Sequence, residues 1–139
     1  EPLLKEAGAK RVIPLAVSAP FHSSFMLPAG ERLAAELEQI TLSEPSLPVV
    51  ANMSADYVGT VSEIKASLIK QVSSPVRWEE CIMRLVNDGI EAFIEVGPGK
   101  VLSGLNKKIC KDVLQFNVED LASLEKVLAL TKEVSYNGS

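Results

Sequence analysis

The stretch Ala92-Phe93-Ile94-Glu95-Val96-Gly97-Pro98-Gly99-Lys100-Val101-Leu102-Ser103-Gly104-Leu105 changes its periodicity halfway along. Its first five residues are mostly aromatic or aliphatic and predict a strand, Gly97-Pro98-Gly99 predicts a tight turn, and the residues from Lys100 onward predict a helix. The amides that open such a helix attract anions, but the stretch matches neither the Walker pattern nor the dinucleotide fingerprint. The reading is therefore a strand-to-helix turn with a structural purpose.

Working outward, the same alternation recurs. Toward the carboxyl end a strand is expected around residues 113–116 and a helix from 121 to about 132, with Ser135-Tyr136-Asn137-Gly138-Ser139 as a loose end. Toward the amino end a helix is expected over 78–87, closed by Gly89. Another is expected over 62–72, where Ile64, Leu68 and Val72 recur every four residues and Pro75 stops the chain. Residues 47–52 predict a short buried strand ending at Asn52. From Pro28 a helix is expected, with Leu33, Leu37 and Ile40 on one face. Residues 11–17 predict an edge strand, because Pro14 cannot donate to a ladder. The first eight residues read as the last turns of a helix closed by Gly8, and the missing initial Met leads us to expect polypeptide upstream. Strands alternating with helices predict an α/β fold with a mostly parallel sheet.

Composition narrows the function. The chain has 139 residues, 47% hydrophobic and 23% charged, which is one ordinary globular domain. Its formal charge of −4 argues against a grip on nucleic acid. The densest basic group, Lys107-Lys108 with Lys111, fits the solvated end of a helix. Cys81 and Cys110 have no metal-ligand spacing, so no metal site is expected, and they read as apolar thiols in a reducing compartment. No apolar run could span a bilayer and no leader is evident, which predicts a cytoplasmic protein without membrane contact.

One residue can do acid–base work near neutral pH. His22 is the only histidine, and it lies in the loop Ser18-Ala19-Pro20-Phe21-His22-Ser23-Ser24 after the expected edge strand, where α/β proteins place reactive groups. A histidine base needs a nucleophile, yet the chain contains no Gly-x-Ser-x-Gly elbow. Ser23 and Ser24 are too near in sequence, and Ser103 falls inside a helix. Either His22 is a satisfied structural histidine, or its nucleophile comes from residues outside this chain.

Three ordered segments carry a family resemblance: Val17-Ser18-Ala19-Pro20-Phe21-His22-Ser23-Ser24-Phe25-Met26, Gln71-Val72-Ser73-Ser74-Pro75-Val76-Arg77-Trp78, and residues 93–105. Together they resemble the malonyl-CoA:acyl carrier protein transacylases and the related acyltransferase domains of polyketide and fatty acid synthases, over the chain up to about Phe116. The resemblance implies the carboxyl-terminal half of an α/β-hydrolase-like acyltransferase domain. Residues 1–17 would end a ferredoxin-like subdomain, 18–134 would belong to the large subdomain, and 135–139 would be a tail.

It also implies an upstream serine that takes the malonyl group from coenzyme A and passes it to the phosphopantetheine thiol of acyl carrier protein. His22 would be the catalytic base, oriented by the backbone carbonyl of Gln71. Phe21 would bound the acyl pocket and favour malonyl over methylmalonyl, and Asn52 would help line it. The carboxylate-binding arginine and the oxyanion hole would lie outside this chain, and Arg77 is not promoted into that role. Malonyl-CoA is expected as substrate with no covalently bound cofactor, acyl carrier protein as partner, and a monomer at full length. Lys65, Lys70 and Arg77 are candidate contacts for the acidic carrier. The chain alone is expected to be inactive. The competing readings are a polyketide synthase acyltransferase fragment and a non-catalytic carrier-binding fragment.

Overall fold

A computed structural model describes residues 1–14 and 17–136, and the side-chain surroundings of those up to residue 130. The helix α1 (Pro2–Glu6) ends ahead of Gly8, whose positive φ of 93° reverses the chain. Residues 11–14 and Val17 form no ladder, so the expected edge strand is absent where the chain is described; Leu15 and Ala16 lie outside the described residues. A strand needs a neighbour to take its hydrogen bonds, and none pairs with this run among the described residues.

Beyond His22 a 3-10 turn (Ser24–Met26) runs into α2 (Leu27–Glu38), with Pro28 in its first turn, where a missing N–H costs nothing. Next comes β1 (Val49–Ala51), inside the strand expected at 47–52 but partly exposed rather than buried; it pairs antiparallel with β2 (Asp56–Val58), a partner that the sequence did not reveal. The turn between them relies on Ala55 at φ 55°, closed by the Ala55 N–H to the Ala51 carbonyl at 2.9 Å. Left-handed backbone normally calls for Gly, Asn or Asp, which is why composition alone hid the hairpin.

α3 (Val61–Gln71) starts at a capping box: the Thr60 hydroxyl accepts from the Glu63 N–H at 3.3 Å, while the Glu63 carboxylate accepts from the Thr60 N–H at 3.0 Å. The Gly59 N–H, which donates to the same carboxylate at 3.0 Å, and then the Thr60 N–H hold the Glu63 carboxyl below its usual range. α3 packs on α2 through Gly30, where an added Cβ would stand 3.3 Å from the Ile69 carbonyl oxygen. Any larger residue there would push the two helices apart by a few tenths of an ångström.

α4 (Trp78–Asn87) has the expected bounds, and it supplies the best-buried pair among the described residues, Ile82 at 2% exposure and Cys81 at 3%. β3 (Ala92–Val96) also matches the expectation and pairs in parallel with β4 (Leu114–Val118), from Ala92 opposite Leu114 to Val96 opposite Val118. α5 (Val101–Ile109) connects them, with Lys107 and Lys108 in its last turn. α6 (Leu121–Tyr136) returns over β4.

This helix takes in Ser135 and Tyr136, which the sequence reading assigned to the loose end; residues 137–139 lie outside the described residues. No Gly or Pro interrupts the chain between Leu121 and Tyr136, so nothing stops the helix earlier. The architecture is mixed α/β with a small parallel sheet. The β3 face carrying Ala92, Ile94 and Val96 is exposed, Val96 at 80%.

Candidate active site around His22

The last turn of α3 has carbonyls without helical partners, as every helix end does. Three main-chain oxygens at and just beyond that end turn toward one residue 49 to 52 positions earlier in the chain. The Val72 carbonyl accepts from the His22 backbone N–H at 3.3 Å. The Gln71 carbonyl lies 3.1 Å from His22 Nδ1, and the Ser74 carbonyl 3.0 Å from the same atom.

A carbonyl oxygen can only accept, so two of them at Nδ1 require that nitrogen to carry the ring hydrogen. The lone pair of the neutral ring is then on Nε2, the form a general base needs. The partial negative charge at a helix carboxyl end complements the positive charge an imidazole gains when it takes a proton.

His22 holds this position at a backbone cost. Its φ of 61° puts a non-glycine residue in the left-handed region. Conformations of this kind persist where the surroundings over-determine them, as at functional sites. Here the restraints are the Val72 bond on one side and, on the other, the Ser23 hydroxyl donating to the Pro20 carbonyl at 2.7 Å. The imidazole itself is exposed.

The Gln71 side chain adds to the arrangement. Its carboxamide nitrogen donates to the Ser74 carbonyl at 3.1 Å and reaches the Pro75 carbonyl at 3.5 Å, beside His22 Nδ1 at 3.5 Å. Gln71 is half-buried rather than an exposed helix residue. It also lines a groove of about 310 Å³ between the β1–β2 ribbon and α3, together with Val50, Asn52, Ile64 and Leu68.

The structure therefore brings His22 and Gln71 into contact and sets Asn52 in the same groove as Gln71. Phe21 is 57% exposed and does not line that groove. The Asn52 side-chain oxygen takes a weak contact from the Cys81 thiol at 3.7 Å, and its carbonyl accepts from the Arg77 N–H at 2.8 Å. Burial raises the Cys81 thiol above its ordinary range, which keeps it protonated and unreactive.

Such a histidine, fixed by main-chain oxygens, sits in a chain with known relatives. No family model matches the chain. The malonyl CoA-acyl carrier protein transacylase of Bacillus subtilis is 46% identical over 97% of this chain and 43% of its own length. The crystal structure of the malonyl CoA-acyl carrier protein transacylase from Clostridium perfringens superposes with a TM-score of 0.89 at 41% identity, over 97% of this chain and 42% of that one. A malonyl-transacylase solved in complex with a type II polyketide synthase acyl carrier protein superposes at 0.86 with 41% identity, over 90% of this chain and 40% of that one. The chain is a homologue of the malonyl CoA-acyl carrier protein transacylases. It spans about two fifths of the length of the relatives it matches.

The Arg77 guanidinium pairs with Glu80 through two nitrogens and donates to the Ser54 carbonyl at 2.8 Å, so it ties the β1–β2 turn to α4. It is a structural arginine. Glu80, its partner, raises its pKa. Lys65 pairs with Glu38 of α2 at 3.5 Å and is largely covered, while Lys70 is exposed.

The Gly97-Pro98-Gly99 turn holds no free anion cradle. The Glu95 carboxylate accepts from the Leu102 N–H at 3.1 Å, the Ser103 N–H at 2.7 Å and the Ser103 hydroxyl at 2.7 Å, and the Glu119 carboxylate takes the Gly99 N–H at 3.1 Å. The Ser103 hydroxyl, more than any other group, holds the Glu95 carboxyl below its usual range, and the backbone N–H groups add to the effect. Sequence reading missed both Glu95 as a cap and Ser74 as an acceptor. For Glu95 the signal was available, an acidic residue shortly before a helix start. For a main-chain carbonyl no side-chain signal exists.

Proposed function

We propose that this chain is the carboxyl-terminal part of a malonyl-CoA:acyl carrier protein transacylase acting in the cytoplasm, and that His22 is its general base. The observation that carries the reading is the Nδ1–H of His22 held between the Gln71 and Ser74 carbonyls, which leaves Nε2 free to take a proton. A serine supplied by residues outside this chain attacks the malonyl thioester. His22 removes its proton and returns one to the departing coenzyme A thiol; the phosphopantetheine thiol of acyl carrier protein then takes the malonyl group.

A neutral carbonyl in place of a triad carboxylate suits this chemistry. A thioester expels its leaving group far more readily than an amide, so orientation matters more than a full negative charge behind the ring. Phe21 and Asn52 are assigned to the wall of the acyl pocket. Residues 1–17 are assigned to the end of a ferredoxin-like subdomain and 18–134 to the large subdomain. The exposed Ile94 and Val96 support a chain that works joined to more protein, since parallel sheets are covered on both faces. Malonyl-CoA is the donor, no cofactor is bound covalently, and the full-length protein is assigned as a monomer.

The test is a chimera in which this chain replaces the matching part of the Bacillus subtilis transacylase. Malonyl transfer to acyl carrier protein is expected from the chimera and not from the 139 residues alone. Transfer by the isolated chain, or a folded but inactive chimera, would contradict the proposal. A second reading has a polyketide carrier protein as acceptor, favoured by the homologue solved with such a carrier. Offering the chimera both kinds of carrier separates the two.

A further inference from the structure

His22 Nδ1 has two acceptors of different standing. The Gln71 carbonyl belongs to α3 and is fixed by the helix. The Ser74 carbonyl belongs to the turn beyond it, just before Pro75, which has no N–H with which to anchor itself. The bond that ties the Ser74 oxygen from the protein side comes from the Gln71 carboxamide at 3.1 Å, and the same nitrogen reaches the Pro75 carbonyl.

We propose that the Gln71 side chain, and not only its carbonyl, is a positioning residue: by donating to Ser74 it holds the second acceptor beneath Nδ1 and so fixes the tautomer and tilt of His22. The idea rests on the transacylase reading of His22. It explains why an amide suits position 71: a carboxylate would present acceptors to the Ser74 oxygen and repel it, and an apolar side chain would leave that oxygen to swing toward water. With one acceptor lost, the ring can rotate or admit the Nε2–H tautomer, which cannot take the serine proton.

In the full-length chain carrying this segment, Gln71→Ala and Gln71→Met both leave the two backbone carbonyls in place, and Met keeps the bulk. Each is expected to lower kcat about tenfold, the usual cost of losing an orienting partner, with KM for malonyl-CoA unchanged. In ¹⁵N spectra of labelled histidine, with His22 assigned by its absence in His22→Ala, the parent should show a single Nδ1–H tautomer and both variants a mixture. Gln71→Met with parental kcat and a single tautomer would overturn the proposal, as would a parent ring protonated at Nε2, a result that needs no variant to fold. His22→Ala separates the two ideas. If it keeps full turnover, the transacylase reading itself fails; if it is inactive while Gln71→Met is unaffected, only the side-chain role fails.

Discussion

The β3–turn–α5–β4 unit and the His22 loop solve the same problem, unsatisfied groups at a helix end, in opposite ways. At the start of α5 the partner comes from within the unit: the Glu95 carboxylate accepts from the Leu102 and Ser103 N–H groups, seven and eight residues on. At the end of α3 the partner is His22, 49 residues away, exposed and in a left-handed conformation. The first arrangement closes on itself and adds stability. The second leaves a reactive nitrogen available, and it persists only because the surrounding fold imposes it.

The sharpest way to break this comparison is His22→Ala in the full-length chain. Transacylation should fall roughly 10²–10⁴-fold, the usual worth of a general base, while the unfolding midpoint stays close to the parent. A variant that unfolds much earlier would place His22 among the stabilising groups instead. Next in size is Phe21→Ser, which should raise methylmalonyl use relative to malonyl about tenfold, since one methyl group against a bulky wall is worth roughly 1–3 kcal/mol. Competition between the two thioesters measures it, and an unchanged ratio would remove Phe21 from the pocket.

Asn106→Ala probes the other region. Asn106 is 4% exposed; it accepts from the Trp78 indole N–H at 2.9 Å and donates to Gln115 at 3.2 Å. Its loss leaves a covered indole N–H unpaired, at about 1–3 kcal/mol by chemical denaturation, with kcat of the folded enzyme unaffected. The smallest effect is expected from Glu95→Gln. The native pKa of Glu95 is lowered, so its contribution is complete above the unfolded carboxyl value and disappears as pH falls through the native one. The stability gap between parent and variant should be widest near neutral pH and close in acid; a gap independent of pH would mean that the charge of Glu95 contributes nothing.

The two regions also differ in how readily they could be read. The bounds of α4 and β3 and the Gly97-Pro98-Gly99 turn were legible because side-chain periodicity and turn residues act within a few positions. The β2 strand was not, because Ala55 adopts a conformation that its side chain disfavours and only pairing with β1 compensates. The run at 11–14 misled for the converse reason: its composition suits a strand, and a strand without a partner does not form. At the site, the motifs named His22 and Gln71 through their resemblance to a family, while Ser74 entered through a carbonyl that every residue type possesses.

By itself the sequence determined the alternation of strands and helices, the single imidazole able to move a proton, and the lack of a serine elbow to pair with it. These depend on local periodicity and on residue identity. Only the tertiary structure decided which nitrogen of His22 carries the hydrogen, because that follows from two main-chain oxygens brought up by a helix end some fifty residues away. Contacts made by backbone atoms across the fold leave no mark in the order of side chains.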